Sequence, residues 1–378
     1  MWNPYSALGM PLAFNWQSGA FGIPALVGYL LPLRLAFTAE VFVTLVIGGV
    51  GVYVLGRVLG LGVAGCSMAG TIFLLNGYFF VWLGWPVASV MSWAGWLFAA
   101  GILVMRGRRK FRSVTFFAVV LALAIYAGQP DALGVLLEGF FVFAAALLVV
   151  RARRLGSPRS VLEPAWRLGL ATLGGAALGA PLLLPGLQLA GQGIRAARNS
   201  AGTQTLHSLA VAFFYGFDGT PVRGSRWPAA YNDYVSAYLG VIAVVLAVVA
   251  IARRRRKPEV LAFGVLAVVA ALIGFTPLGV AVLSNLPWGV RWGRNTIVFA
   301  FTISMLAGVG LDTVRRSFDQ RQVIRWFAGC LAATGVILAA IWLIGRGSLP
   351  SFEASARERS FIWPAIQLGV GAAVVGVL

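Results

Sequence analysis

The sequence predicts an all-α bundle of membrane-spanning helices, and three observations lead there. Of its 378 residues, 60% are apolar and only 11% are charged, where an ordinary soluble domain carries about 25% charged residues. A water-soluble core of this length cannot hide so much apolar surface. The apolar residues come in stretches close to the roughly 20 residues that a spanning helix needs, and the cations come in short runs between those stretches. A soluble enzyme, a disordered chain and a disulfide scaffold all fit this composition poorly.

In chain order the predicted spans are 35–56, 62–82, 87–105, 113–128, 132–150, 167–188, 235–251, 259–280, 295–313, 326–344 and 361–378. The basic runs test their alternation. Arg106, Arg108, Arg109, Lys110 and Arg112 form one run, and Arg151, Arg153, Arg154, Arg159 and Arg167 a second. Arg253 to Lys257 form a third, and Arg315, Arg316, Arg321 and Arg325 a fourth. With eleven spans all four fall on one side together with Arg57, which gives that side 20 of the 30 Lys and Arg residues. A missed or surplus helix in mid-chain would split them. The positive-inside rule assigns this side to the cytoplasm, with membrane lipid headgroups as the simplest partners of its short loops. A net charge of +19 would suggest nucleic acid in a soluble protein. Here it reads as topology, and no nucleic-acid partner is expected.

The outer segments are then 1–34, 83–86, 128–131, 189–234, 281–294 and 345–360, and chemistry is expected there. The chain reads as one transmembrane domain, 1–378, with a first outer loop and interfacial segment at 1–34 and a long outer loop at 189–234. No repeat, low-complexity segment or secretory signal is visible. Met1 leads at once into a polar aromatic loop, and the last span runs out at Leu378 without a basic stop. Both ends are therefore expected to be cut from a longer protein. Cys66 and Cys330 lie in apolar stretches outside any CxxC or Cys/His cluster, and His207 is the one histidine, so a multi-His metal site does not arise. No G-x-x-x-x-G-K-S/T word for a nucleotide engine is present.

Four words stand out in the outer segments. Residues 2–24 read WNPYSALGMPLAFNWQSGAFGIP. Tyr126-Ala127-Gly128-Gln129-Pro130-Asp131 forms a turn between two spans. Leu286-Pro287-Trp288-Gly289-Val290-Arg291-Trp292-Gly293-Arg294 precedes a helix that ends in Ala307-Gly308-Val309-Gly310-Leu311-Asp312. Asn232-Asp233-Tyr234 stands before another helix. In this order the words resemble the YfhO-like bacterial membrane proteins, which have the type-C glycosyltransferase architecture. The resemblance covers nearly the whole chain; each word alone is weak. It implies a GT-C-like fold in the bacterial cytoplasmic membrane. It also implies an enzyme that moves a sugar from a polyprenyl-phosphate donor to an envelope lipid, glycan or protein acceptor on the extracytoplasmic face. The lipid-linked sugar would be its partner; the resemblance names no resident cofactor and admits a divalent metal. In the family the catalytic acid lies upstream of the W-N-P-Y word, so the usual base is expected before Met1.

Such transfer needs a base for the acceptor proton and cations for the leaving phosphate. It also needs a groove for the prenyl chain. As base the chain offers Asp218, Asp233 and Glu40, with Asp131, Glu353 and Glu358 as further outer acids. Asp218 before Gly219 also suits a plain turn, and Asp233 a helix start. Glu40 and Glu138 are intramembrane carboxyls, which cost roughly 2.5–3.5 kcal/mol or more unless satisfied. Arg34, six residues before Glu40, is a candidate partner. Arg291 and Arg294, before a helix N-terminus, are the expected phosphate ligands, followed by Arg195 and Arg198. His207 shares their loop and could also serve as base. Interfacial anchoring explains such residues equally well. Trp2, Asn3, Tyr5, Trp16, Gln17 and Gln129 are expected to bind substrate. Two other readings stay open. A lipid or glycan transporter would use Glu40, Glu138 and the Gly174–Pro181 stretch, and a non-catalytic envelope assembly protein would need none of these.

Overall fold

A computed structural model describes residues 2–3, 10–11, 15, 18–107, 109–191, 209, 212–214, 238–278, 295–316, 320–345 and 361–377. Apart from one antiparallel pair of two-residue strands, β1 (Trp2–Asn3) and β2 (Met10–Pro11), the regular structure among them is helical. A short α1 (Ile23–Tyr29) leads into α2 (Leu33–Val58). There follow α3 (Val63–Leu75), α4 (Gly77–Val81), α5 (Pro86–Met91), α6 (Ala94–Arg106), α7 (Lys110–Tyr126) and α8 (Pro130–Leu155). The chain continues through α9 (Leu162–Gly191), α10 (Val241–Arg254), α11 (Pro258–Phe275), α12 (Thr296–Arg316), α13 (Gln320–Gly345) and α14 (Ile362–Val377).

Helix thus occupies each stretch read as a span. Among the described residues, six stretches are long and apolar enough to cross a membrane: Leu33–Val58, Pro86–Arg106, Pro130–Leu155, Arg159–Leu189, Pro258–Phe275 and Thr296–Arg316. This is the helical architecture of a multi-pass membrane protein. Large apolar side chains stand exposed on its flanks, among them Leu33, Phe37 and Phe42 on α2 and Leu173 and Leu184 on α9. Such surface is a liability in water and is satisfied by lipid.

Two predicted spans are interrupted. The stretch 62–82 breaks at Asn76, whose Oδ1 accepts the Phe79 N–H at 3.0 Å and starts α4. The freed Gly77 N–H donates to the Tyr238 carbonyl at 3.0 Å. The stretch 87–105 breaks at Ser92 and Trp93, between α5 and α6. Apolar periodicity alone does not show such breaks; the Asn76-Gly77 pair is a turn signal, whereas Ser92 and Trp93 give none.

At the centre lies α12, buried along nearly its whole length. Its polar residues are satisfied within the helix: Thr302, Ser304 and Thr313 each donate to the carbonyl four residues back, all at 2.7 Å. Lipid supplies no hydrophobic drive between helices, so close packing must hold them. Glycines permit it. A Cβ at Gly310 would overlap the Leu246 carbonyl of α10, and Gly65 of α3 meets Gly308 of α12 backbone to backbone. Gly95 of α6 meets Gly51 of α2 in the same way. Phenylalanines fill the remaining core. Phe98 has Phe140, Phe143, Phe263 and Phe301 around it at centroid distances of 5.4, 5.1, 6.0 and 4.9 Å, so one ring joins α6, α8, α11 and α12.

The four basic runs come together at one end, as the alternation required. Three carboxylates organise it. Asp312 Oδ1 accepts the Gly62 N–H at 2.9 Å at the start of α3. Its Oδ2 lies 2.9 Å from Arg316 Nε and 3.9 Å from Arg254 Nη2. The first of these is an ion pair without hydrogen-bond alignment. Glu259 Oε1 lies 3.1 Å from Arg106 Nη2 and 3.9 Å from Arg151 Nη2. These two arginines also donate to the Val58 and Met105 carbonyls, at 2.8 and 3.0 Å. Glu163 Oε1 meets Lys110 Nζ at 2.6 Å and Arg167 Nε at 3.9 Å on the more exposed rim. Between α10 and α11, burial and then the charge of Arg254 hold the Lys257 amine below its ordinary value.

Two stability measurements follow from this packing. Asp312→Ala removes a buried charged acceptor and should lower unfolding stability in detergent by about 2–3 kcal/mol. Arg316→Ala, whose side chain is 54% exposed, should lose less than about 1 kcal/mol; equal losses would contradict the assigned roles. Gly310→Ala should cost about 1–3 kcal/mol through overpacking. Gly169→Ala on α9, where nothing lies within 4 Å of an added Cβ, should cost nothing in the same thermal assay.

Candidate functional site

At the end opposite the basic runs, three turns from distant parts of the chain meet. The first runs from Ser18 to Gly22, where Ser18 Oγ donates to the Asn15 carbonyl at 2.7 Å and Gly22 N–H to Gly19 O at 2.9 Å. The second is Trp82–Pro86. The third is Tyr126–Asp131. A Cβ at Gly19 would sit 3.1 Å from Ala127 O and 3.2 Å from Pro86 Cγ, and one at Gly22 would sit 3.2 Å from Ala127 Cα. Gly19 also has φ +58°, a conformation that glycine adopts without penalty. Two of the words noted in the sequence, over a hundred residues apart, are therefore in direct backbone contact.

The third turn carries the most constrained side chain. Ala127 N–H and Gly128 N–H close the end of α7 on Leu123 O and Ile125 O, at 3.0 and 3.1 Å. The chain then reverses through Gly128 at φ +90° and Gln129 at φ +44°, ψ 83°. Gln129 O accepts the Ala132 and Leu133 N–H groups, both at 3.1 Å, and starts α8. A non-glycine residue in the left-handed region is strained, and Pro130 after it narrows the choice further. Gln129 is only 7% exposed, and its side-chain amide makes no hydrogen bond among the described residues. Tyr126 Oη, beside it, donates to the Leu178 carbonyl of α9 at 3.1 Å. Trp82 and Trp85 stand edge to face across the second turn, with centroids 6.1 Å apart.

Glu40 lies at the other end of α1. A Cβ at Gly28 would come 2.5 Å from Glu40 Oε1, so the glycine makes room for the carboxyl against α1. Burial, and then the Glu40 charge, raise the Tyr29 phenol above its ordinary value. Among the described residues Arg34 is not paired with Glu40. Six residues on one helix are about 240° apart, so the two side chains leave on different faces.

Deeper in the bundle, Glu138 stands seven residues beyond Asp131, about 10 Å along α8. Among the described residues both its carboxyl oxygens are buried with no hydrogen-bond partner, and so are Trp93 Nε1 at the α5–α6 break and Asn295 Nδ2 before α12. Sequence reasoning singled out Glu138 but neither Trp93 nor Asn295, which look like an interfacial aromatic and a helix cap. Gly19 and Gly22 were also unremarked as contact residues, although a Gly-x-x-Gly before a proline is a turn signal.

Of the other expected site residues, Trp2 and Asn3 lie in β1. Tyr5, Trp16, Gln17, Arg195, Arg198, His207, Asp218, Asp233, Arg291 and Arg294 lie outside the described residues, as do Glu353 and Glu358. Among the described residues no three of His, Cys, Asp and Glu converge as metal ligands. No protein-family model, curated protein or solved structure matches the chain.

The strain at Gln129 is open to measurement. Gln129→Gly should stay within about 1 kcal/mol of wild type, because relief of the left-handed conformation offsets the added chain entropy. Gln129→Val, a β-branched residue at positive φ, should lose about 2 kcal/mol. Thermal unfolding of the two variants in one detergent checks the difference.

Proposed function

We propose that the chain is the eleven-span transmembrane part of a GT-C-type glycosyltransferase of the YfhO-like kind. It sits in a bacterial cytoplasmic membrane with its basic loops cytoplasmic. It moves a sugar from a polyprenyl-phosphate donor to an envelope lipid, glycan or protein acceptor on the extracytoplasmic face. The observation that carries this reading is Gln129: a strained, buried residue whose side-chain amide has no hydrogen-bond partner among the described residues, in the turn where the Q-S-G-x-x-G-x-P and Y-A-G-Q-P-D words touch. Strain of this sort is kept where a side chain must face a ligand, and a primary amide both donates to and accepts from sugar hydroxyls. Trp82 and Trp85, in the turn that meets Gly19 through Pro86, suit a sugar face.

In the step itself the acceptor hydroxyl loses its proton to a carboxylate and its oxygen bonds to the anomeric carbon. The bond from that carbon to the phosphate oxygen breaks, and polyprenyl phosphate leaves with the electron pair. Glu40, Asp218 and Asp233 are the proposed bases within this chain, beside one expected upstream. Arg291 and Arg294, then Arg195 and Arg198, are the proposed phosphate ligands. Trp2, Asn3, Tyr5, Trp16 and Gln17 would complete the sugar site.

The test uses the full protein in vesicles with a radiolabelled polyprenyl-phosphate hexose and envelope lipid extract as acceptor. Label should pass to the acceptor with release of polyprenyl phosphate. Gln129→Leu should slow transfer about tenfold, the loss of one hydrogen bond, and Arg291→Ala/Arg294→Ala should abolish it. Donor that stays intact with wild-type protein would overturn the reading.

Glu138 favours a second reading, a transporter or flippase. A carboxyl whose two buried oxygens have no partner among the described residues is a functional group by default in a spanning helix. Under that reading Glu138→Gln stops substrate movement across vesicles; under the first it leaves transfer unchanged.

A further inference from the structure

The outer surface of α13 forms a trough against α10, at the basic end and facing the surrounding lipid. It measures about 740 Å³ and is lined from α13 by Arg321, Arg325, Gly329 and Ala333, with Val248 opposite. These α13 residues are spaced four apart, so they form one stripe running about 18 Å along the helix. The stripe has two halves. Two guanidinium groups occupy the basic end, and small residues leave an open apolar channel above them. An adjoining cleft of about 120 Å³ between α10, α12 and α13 shares Gln322 and Trp326 with the trough and adds Arg253.

The charges are what mark this place. Arg106, Arg151, Arg254 and Arg316 are held by carboxylates within the bundle. Arg253, Arg321 and Arg325 have no carboxylate at ion-pair distance among the described residues. Three cations without a carboxylate partner among the described residues, at one end of an apolar channel, complement a molecule with an anionic head and a hydrocarbon chain. An Arg fork suits phosphate oxygens, and basic pockets between spanning helices at a membrane surface bind anionic lipid heads. Trp326 sits at the depth where aromatic residues border headgroups.

We propose that this trough is a binding site for one anionic phospholipid of the bilayer, its phosphate on Arg321, Arg325 and Arg253 and an acyl chain along Gly329 and Ala333. The proposal rests on the membrane setting of the helices and is independent of glycosyl transfer. The bound lipid seals α13 to α10, where protein contact is sparse.

Native mass spectrometry of the full chain, titrated in detergent with phosphatidylglycerol or phosphatidylcholine, tests it. One phosphatidylglycerol should be retained at a concentration at least tenfold lower than phosphatidylcholine, since each Arg near an anionic group is worth a factor of about five. R253Q/R321Q/R325Q should lose that preference, while R153Q/R159Q, on the same end outside the trough, should keep it. Gly329→Phe is the sharper variant. Nothing lies within 4 Å of an added Cβ there, so the ring fills the channel without clash and leaves all three arginines in place; phosphatidylglycerol retention should fall about tenfold. Retention by Gly329→Phe equal to wild type would overturn the proposal. So would equal binding of the two lipids, or displacement of the lipid by inorganic phosphate alone, which would make the site one for a free anion.

Discussion

The Asp312 carboxylate holds the central helix in register with its neighbours, and the rest of the bundle is packed around that helix. It takes the N–H that begins α3 on one oxygen and the charges of Arg316 and Arg254 on the other. Three segments, from α3, α10 and α12, thereby share one anchor at the membrane edge. A carboxyl just 5% exposed is tolerated only with such company. Glu259 repeats the arrangement for α6, α8 and α11. The chain has only 11 acidic residues, and among the described ones three serve this end. Electrostatics at one end therefore sets the axial position of helices that lipid alone would let slide.

Along the membrane depth a different force takes over. Lipid tails are as apolar as the side chains, so helices associate through shape. The contacts at Gly65–Gly308, Gly51–Gly95 and Gly310–Leu246 bring backbones together, and the Phe98 cluster fills the space that remains. Small and large residues alternate for that reason. Apolar content alone would be equally served by leucine throughout, with no unique packing.

The two ends of the bundle differ in kind. At the basic end the buried charges are paired and the turns are tied to neighbouring helices. At the other end and just beneath it lie the left-handed Gln129, the shielded Glu40 and the unsatisfied Glu138, Trp93 and Asn295. Among the described residues the basic end also holds two buried atoms without a hydrogen bond, Asp312 Oδ2 and Arg167 Nη1, but both side chains stand in ion pairs. The unsatisfied groups at the other end have no such pair, which suits a ligand. That asymmetry, rather than any single residue, is why the catalytic and transport readings both look to the same half of the molecule.

Composition and periodicity by themselves determined the helical class, the order of the apolar stretches and the gathering of the basic runs at one end. Each of these depends only on local hydrophobicity and on charge, which the bilayer reads residue by residue. The Asn76 break carried a signal, the Asn76-Gly77 pair, that the run of apolar residues around it outweighed; the Ser92–Trp93 break carried none within the apolar stretch. Nor was the meeting of Gly19 and Gly22 with Ala127: it depends on the distance between two turns over a hundred residues apart, and a sequence carries no such distance. Glu40 and Arg34 looked like partners by proximity in the chain, and helix geometry sends them to different faces. Gln129 was visible as a turn residue beside a proline. Its word already marked it as an expected substrate-binding residue; only the tertiary structure decided its burial and its positive φ, because both arise where its turn packs against Gly19 and Gly22.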